Sequence, residues 1–129
     1  MVTEEQKMAL GALRSEMNEE KLWECIIAFR GFQFLTASGL PFSYQLKKGR
    51  NGEYTKELIV DRQAESKSLV FSSVRNAFVA ALQKQGEVIS RPKALGDIRG
   101  ISYIYPLLYA FGVIEVPEKT REIMVRIGG

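Results

Sequence analysis

The chain contains no histidine and one cysteine, Cys25, and these two shortages exclude whole reaction classes. Without histidine it lacks the usual general base and the commonest metal ligand. Histidine-dependent serine and cysteine nucleophile systems, HExxH metalloproteases and Cys/His zinc folds are therefore excluded. A lone cysteine forms no internal disulfide, and Cys25, set among apolar residues, reads as a core or boundary thiol rather than a nucleophile. Long apolar runs are also missing. The stretch from Ile101 to Val116 is broken by Ser102, Pro106 and Gly112 and falls short of the roughly 20 residues a spanning helix needs. No glycine pattern matches a P-loop or a dinucleotide fingerprint, because Gly49-Arg50-Asn51-Gly52 is too short and no Lys-Ser/Thr follows it. The opening MVTEEQK is acidic where a secretory signal would be basic, so a cytoplasmic location is expected. The carboxylate pairs Asp61/Glu65 and Glu19/Glu20 sit in polar contexts with nothing to raise a pKa. No catalytic residue, cofactor or metal site is expected, and the chain reads as a non-catalytic binding domain.

With 129 residues and 46% apolar composition, the chain suits a single domain, 1–129, that buries roughly two-thirds of its unfolded surface. The net charge of +3 is unevenly spread. Residues 1–24 carry six acids and three bases, so the remaining body is basic and the N-terminal region acidic.

Periodicity predicts an α+β domain: two N-terminal helices, an antiparallel three-stranded sheet with a hairpin, two further helices and a C-terminal β-hairpin. Leu10, Leu13 and Met17 recur at helical spacing. Asn18 caps a second helix, with Met17 and Leu22 as a hydrophobic staple, and Gly31 ends it. FQFLTA (32–37), FSYQLK (42–47) and KELIVDR (56–62) read as strands. A loop of Asn51 to Glu53 sets Leu46 opposite Leu58 and Tyr44 opposite Val60, and Lys48 opposite Lys56. DRQAESKS (61–68) reads as polar connection. Ser72 can cap a helix burying Val74, Ala77, Phe78, Ala81 and Leu82, and Val88 and Ile89 can add a short strand. The next helix is expected to begin near Ser102 or Tyr103, because proline is comfortable only in a first turn and Pro106 must be placed there. VIEV (113–116), the turn PEKT and REIMVRI (121–127) read as the closing hairpin.

Two surfaces are candidates for function. The hairpin tip and its flanks, Lys47, Lys48, Arg50 and Lys56, with Lys67 and Arg75 nearby and the aromatic Tyr54 beside them, suit phosphate oxygens and base stacking; nucleic acid is the favoured partner. The helix-then-hairpin order of the closing segment, with Lys119 and Arg121 near the tip, has the order of a winged helix, but three strands split the helical core that fold requires. The second surface lies on LGDIRGISYIYPLLYAFG (95–112). Projection at about 100° per residue puts Tyr103, Ile104, Leu107, Leu108 and Phe111 inward. Tyr105 and Tyr109 share the other side. With Arg99 they form either a second packing face or a patch for a protein partner or a homodimer, for which the N-terminal helices are a further candidate.

The combination FLTASGLPFSYQLK, ELIVDR, KSLVFSSVRNAF and PKALGDIRGISYIYPLL, over residues 32–114, resembles a group of small bacterial α+β domains to which no activity is attached. The shared pattern is Gly-x-x-Phe-x-Tyr followed by a Gly-x-Ser-Tyr-Ile-Tyr-Pro helix start. The resemblance implies that Gly39, Phe42, Tyr44, Gly100, Ser102 and Tyr103 belong to the scaffold.

Overall fold

Two capped helices begin the chain. The computed structural model describes residues 2–62 and 65–124. Helix α1 (Glu4–Ser15) starts at a capping box in which Thr3 Oγ1 accepts from Gln6 N–H and the Gln6 side chain accepts from Thr3 N–H. Helix α2 (Glu19–Ala28) starts at Asn18, whose Oδ1 accepts from Lys21 N–H at 2.9 Å. The N-cap expected from sequence is thus observed. Ala9, Leu10 and Leu13 of α1 pack with Leu22, Cys25, Ile26 and Phe29 of the α2 region, and Gly31 (φ +80) turns the chain toward the sheet.

Four strands follow in one antiparallel sheet of order β1-β2-β3-β4: β1 (Phe34–Leu35), β2 (Pro41–Lys48), β3 (Tyr54–Arg62) and β4 (Glu65–Val70). Tyr44 pairs with Val60 and Leu46 with Leu58, the register that apolar matching favours. The expected Lys48/Lys56 pair does not form. The register shifts between Leu46 and Lys48, so that Lys48 lies opposite Tyr54 and the connecting loop runs from residue 49 to 53. Such a bulge separates two like charges that a regular ladder would oppose. The fourth strand is a second correction: residues 65–70, expected mostly as connection, pair fully with Glu57 to Arg62 of β3.

Alternation along the strands makes one face apolar. Phe42, Tyr44, Leu46, Leu58, Val60 and Leu69 are buried on it, while Ser43, Gln45, Lys47, Glu57, Asp61, Ser66 and Ser68 line the other face, half-buried or exposed. Helices cover only the apolar face. Helix α3 (Phe71–Gln83) buries Val74, Ala77, Phe78 and Ala81. It begins at Phe71, one residue before Ser72, with Val70 at the N-cap position and no side-chain cap, so Ser72 does not perform the expected role. A short 3₁₀ turn (Pro92–Leu95) leads to helix α4 (Ile101–Ala110).

Helix α4 departs from expectation in two ways. It starts at Ile101, so Pro106 lies inside the helix rather than in its first turn. The hydrogen bond that Pro106 cannot donate would have gone to the carbonyl of Ser102, an exposed residue of the first turn, where water can serve instead. Gly100 precedes the helix at φ +79, and a Cβ there would stand 2.5 Å from Leu69 Cδ1, so both backbone and packing require glycine.

The closing β-hairpin is not observed. Residues 118–123 form a helix, α5 (Glu118–Ile123), which also removes the wing of the winged-helix comparison; Lys119 and Arg121 are exposed on it. Val88 bridges Glu115 in parallel, which supplies the short strand contact anticipated at Val88 and Ile89. The far part of the expected second strand, 125–127, lies outside the described residues. Among the described residues the domain is α+β, with five α-helices and a four-stranded antiparallel sheet.

Candidate functional site

The hairpin candidates divide by the side of β2 and β3 on which they lie. Lys47 is on the open face and its Nζ is 3.9 Å from Glu57 Oε1, whose other oxygen accepts from the Ser68 hydroxyl. It belongs to the polar covering of the sheet. Arg75, on α3, lies 3.7 Å from Glu19, and Lys67 is half-buried on β4, opposite Val60. The structure therefore sets Lys47 on the opposite side of the sheet from Lys48 and Lys56, and Arg75 within ion-pair distance of a carboxylate.

The others come together at the hairpin end of the sheet's helix-covered side. Lys48 Nζ stands 5.4 Å from the centroid of the Tyr54 ring, and the guanidinium carbon of Arg30 stands 5.5 Å from the same centroid. One step further along β3, Lys56 Nζ is 5.2 Å from the Trp23 ring and 5.0 Å from the Phe71 ring, which meet edge to face at 5.1 Å. Arg50 is exposed in the loop between the strands. Among the described residues no carboxylate lies within 4 Å of Arg30, Lys48, Arg50 or Lys56. The arrangement is a ridge of cations laid against aromatic rings, each exposed contact worth about 0.5–1 kcal/mol. Arg30 and Trp23 were absent from the sequence candidates. Trp23 lies on α2 and Arg30 in the turn that follows it, so no local pattern linked them to the hairpin.

At the other end of β3 a second cation meets an aromatic ring. Arg62 donates to the Tyr103 hydroxyl at 2.7 Å and to Glu65 at 2.8 Å, and Tyr103 packs edge to face on Phe42 at 5.2 Å. Here the charge is paired. Tyr103, expected inside, is only half-buried.

Of the two readings open for the tyrosine pair on the other side of α4, burial matches the second packing face rather than the patch. Tyr105 and Tyr109 are both buried, and the Tyr105 hydroxyl donates to the Ile89 carbonyl. Burial pushes the Tyr105 phenol up to about 12. Eight of the ten residues of α4 are buried, so the helix has no outward aromatic face. Arg99 alone of that candidate surface is exposed, in a shallow cleft of about 130 Å³ beside Ser68 and Ser73.

Cys25 is fully buried and its thiol donates to the Ala9 carbonyl at 3.2 Å. Desolvation, reinforced by Glu24 and opposed by Arg14, pushes the thiol up to about 12, the state of a core residue rather than a nucleophile. Among the described residues there is no cluster of three or more Cys, Asp or Glu side chains arranged to hold a metal ion, and no helix is long and apolar enough to cross a membrane. No protein-family model, no curated protein and no solved structure matches this chain.

Proposed function

We propose that the protein binds single-stranded nucleic acid through the ridge formed by Trp23, Arg30, Lys48, Arg50, Tyr54 and Lys56, without catalysis. One observation carries this reading: three cations, Arg30, Lys48 and Lys56, stand against aromatic rings, and neither they nor Arg50 in the adjoining loop has a carboxylate within 4 Å among the described residues. Arg30 donates to the Ile27 carbonyl at 2.7 Å, but cations without an internal carboxylate can replace the counterions of a phosphate backbone. Half-buried rings offer flat apolar surface to bases, and a guanidinium can itself stack on a base. The ridge crosses a hairpin end rather than projecting a helix, which suits a flexible strand better than the major groove of a duplex. The burial of Tyr105 and Tyr109 supports this reading over a patch on α4.

The test is a fluorescence-anisotropy titration with mixed-sequence single-stranded DNA, single-stranded RNA and duplex DNA at two salt concentrations. Single strands are expected to bind in a salt-sensitive manner. The Lys48→Ala/Arg50→Ala/Lys56→Ala variant should bind more weakly and flatten the logarithmic salt slope by about 2, at about 0.7 for each phosphate it no longer neutralises. Trp23, the only tryptophan, should report binding by a change in its own fluorescence. Absence of salt-sensitive binding, or an unchanged slope in the triple variant, overturns the reading.

A further inference from the structure

The molecule has a second surface, of opposite sign, that the nucleic-acid reading leaves unused. Between α1 and α2 runs a groove of about 360 Å³ lined by Met8, Ala9, Ala12 and Ile27, with the exposed carboxylates Glu5 and Glu24 also in its wall. Glu5, Met8 and Ala12 recur at three- and four-residue spacing, so they form a stripe of α1 distinct from Leu10 and Leu13, which point into the core. Met8 is 71% exposed, a large apolar side chain held in water at the groove's edge. The alanines leave room for a third helix to approach at close range, and methionine adapts its shape to what covers it.

We propose that this groove docks a cationic amphipathic helix of a partner protein. The sign follows from the charges around it. Residues 1–24 hold six acids against three bases. Lys21 lies 3.8 Å from Glu24, and both are solvent-exposed enough for the contact to be weak, while Glu5 has no ion-pair partner among the described residues. A second copy presenting the same groove across a two-fold axis would bring Glu5 and Glu24 against their own counterparts, which opposes self-association. Nucleic acid is repelled by the same carboxylates. A helix with an apolar row over Met8 and Ile27 and Lys or Arg beside it satisfies both features of the groove.

The experiment uses the full chain and two labelled synthetic helices of about 16 residues, long enough to form the helix on binding. They share one leucine row at helical spacing and carry either lysine or glutamate beside it. The lysine peptide is expected to bind at least roughly tenfold more tightly than its glutamate twin. Glu5→Lys/Glu24→Lys should reverse that order, and Ala12→Gln, which fills the groove without adding charge, should weaken the lysine peptide by roughly tenfold. All three positions are at the surface or half-buried, and circular dichroism checks that each variant is folded. The Lys48→Ala/Arg50→Ala/Lys56→Ala variant should bind the peptide as the unaltered chain does. Equal binding of the two peptides, an order that persists in the double variant, or a dimer in sedimentation that Ala12→Gln abolishes would each overturn the proposal.

Discussion

Single residues decide several of the contacts on which the rest depends, and Gly100 is the clearest. Its φ of +79 is strained for any L side chain, and a Cβ would meet Leu69 Cδ1 at 2.5 Å, inside a neighbour that is itself buried and has little room to move. Backbone strain and overpacking add, so Gly100→Ala should cost about 2 kcal/mol and lower the melting temperature by roughly 5–10 °C. Gly11 makes the internal control. It lies in α1 with nothing within 4 Å of where its Cβ would stand, and Gly11→Ala should stabilise by about 0.5–1 kcal/mol. Thermal unfolding followed by circular dichroism reads both signs in one experiment; a Gly100→Ala variant that melts with the unaltered chain would show that Leu69 relaxes freely. Ser102, two residues further on, is exposed, whereas Gly100 has a structural reason to be glycine.

Among the elements, α2 is positioned by the residue that precedes it. The Asn18 side chain satisfies one of the free N–H groups at the start of the helix, and Glu19 and Glu20 face the positive end of its dipole. Asn18→Ala should therefore cost about 1 kcal/mol in chemical denaturation, and because Trp23 lies on this helix and Arg30 just beyond its end, it should loosen the ridge before the sheet. A loss below about 0.3 kcal/mol would mean that packing alone holds the helix. This cap, the β2/β3 register and the buried stripe of α3 were readable from sequence, since each rests on local chemistry or regular alternation. Strand β4 was not. ESKSLV has too few apolar residues to alternate visibly, because it is the last strand in the sheet order and is solvated along most of its length. Helix α4 was illegible for the opposite reason: a helix apolar nearly all round carries no information about which side faces out, so a single projection placed Tyr103 inward and could not decide between packing face and patch for Tyr105 and Tyr109. The ridge was legible in half. Lys48, Arg50, Tyr54 and Lys56 stand close in the chain, whereas Trp23 and Arg30 join them only through the docking of α2 against the hairpin.

Across the whole molecule, burial of weak acids links stability to pH. Tyr44 donates its hydroxyl to the Ile26 carbonyl and Tyr105 to the Ile89 carbonyl, joining sheet to α2 and α4 to the segment that follows α3. Desolvation pushes Tyr44 well above its ordinary value of 10.0, pushes Tyr105 from 10.0 up to about 12, and pushes Cys25 from 9.0 up to about 12. All three shifts are upward, so the folded chain holds these protons more tightly than the unfolded chain does. Below about pH 9 both states are protonated at these groups and their contribution to stability is complete. Above that pH the unfolded chain releases a proton first from Cys25 and, past 10.0, from the two tyrosines, while the folded chain retains them, so stability falls progressively until about pH 12. An alkaline titration followed simultaneously by far-ultraviolet circular dichroism and tyrosinate absorbance should show the ionisation of Tyr44 and Tyr105 arriving with the loss of helix, as one cooperative step. Complete ionisation of all five tyrosines near pH 10 with the helical signal intact would contradict the buried hydroxyl contacts on which the packing of α2 and α4 depends.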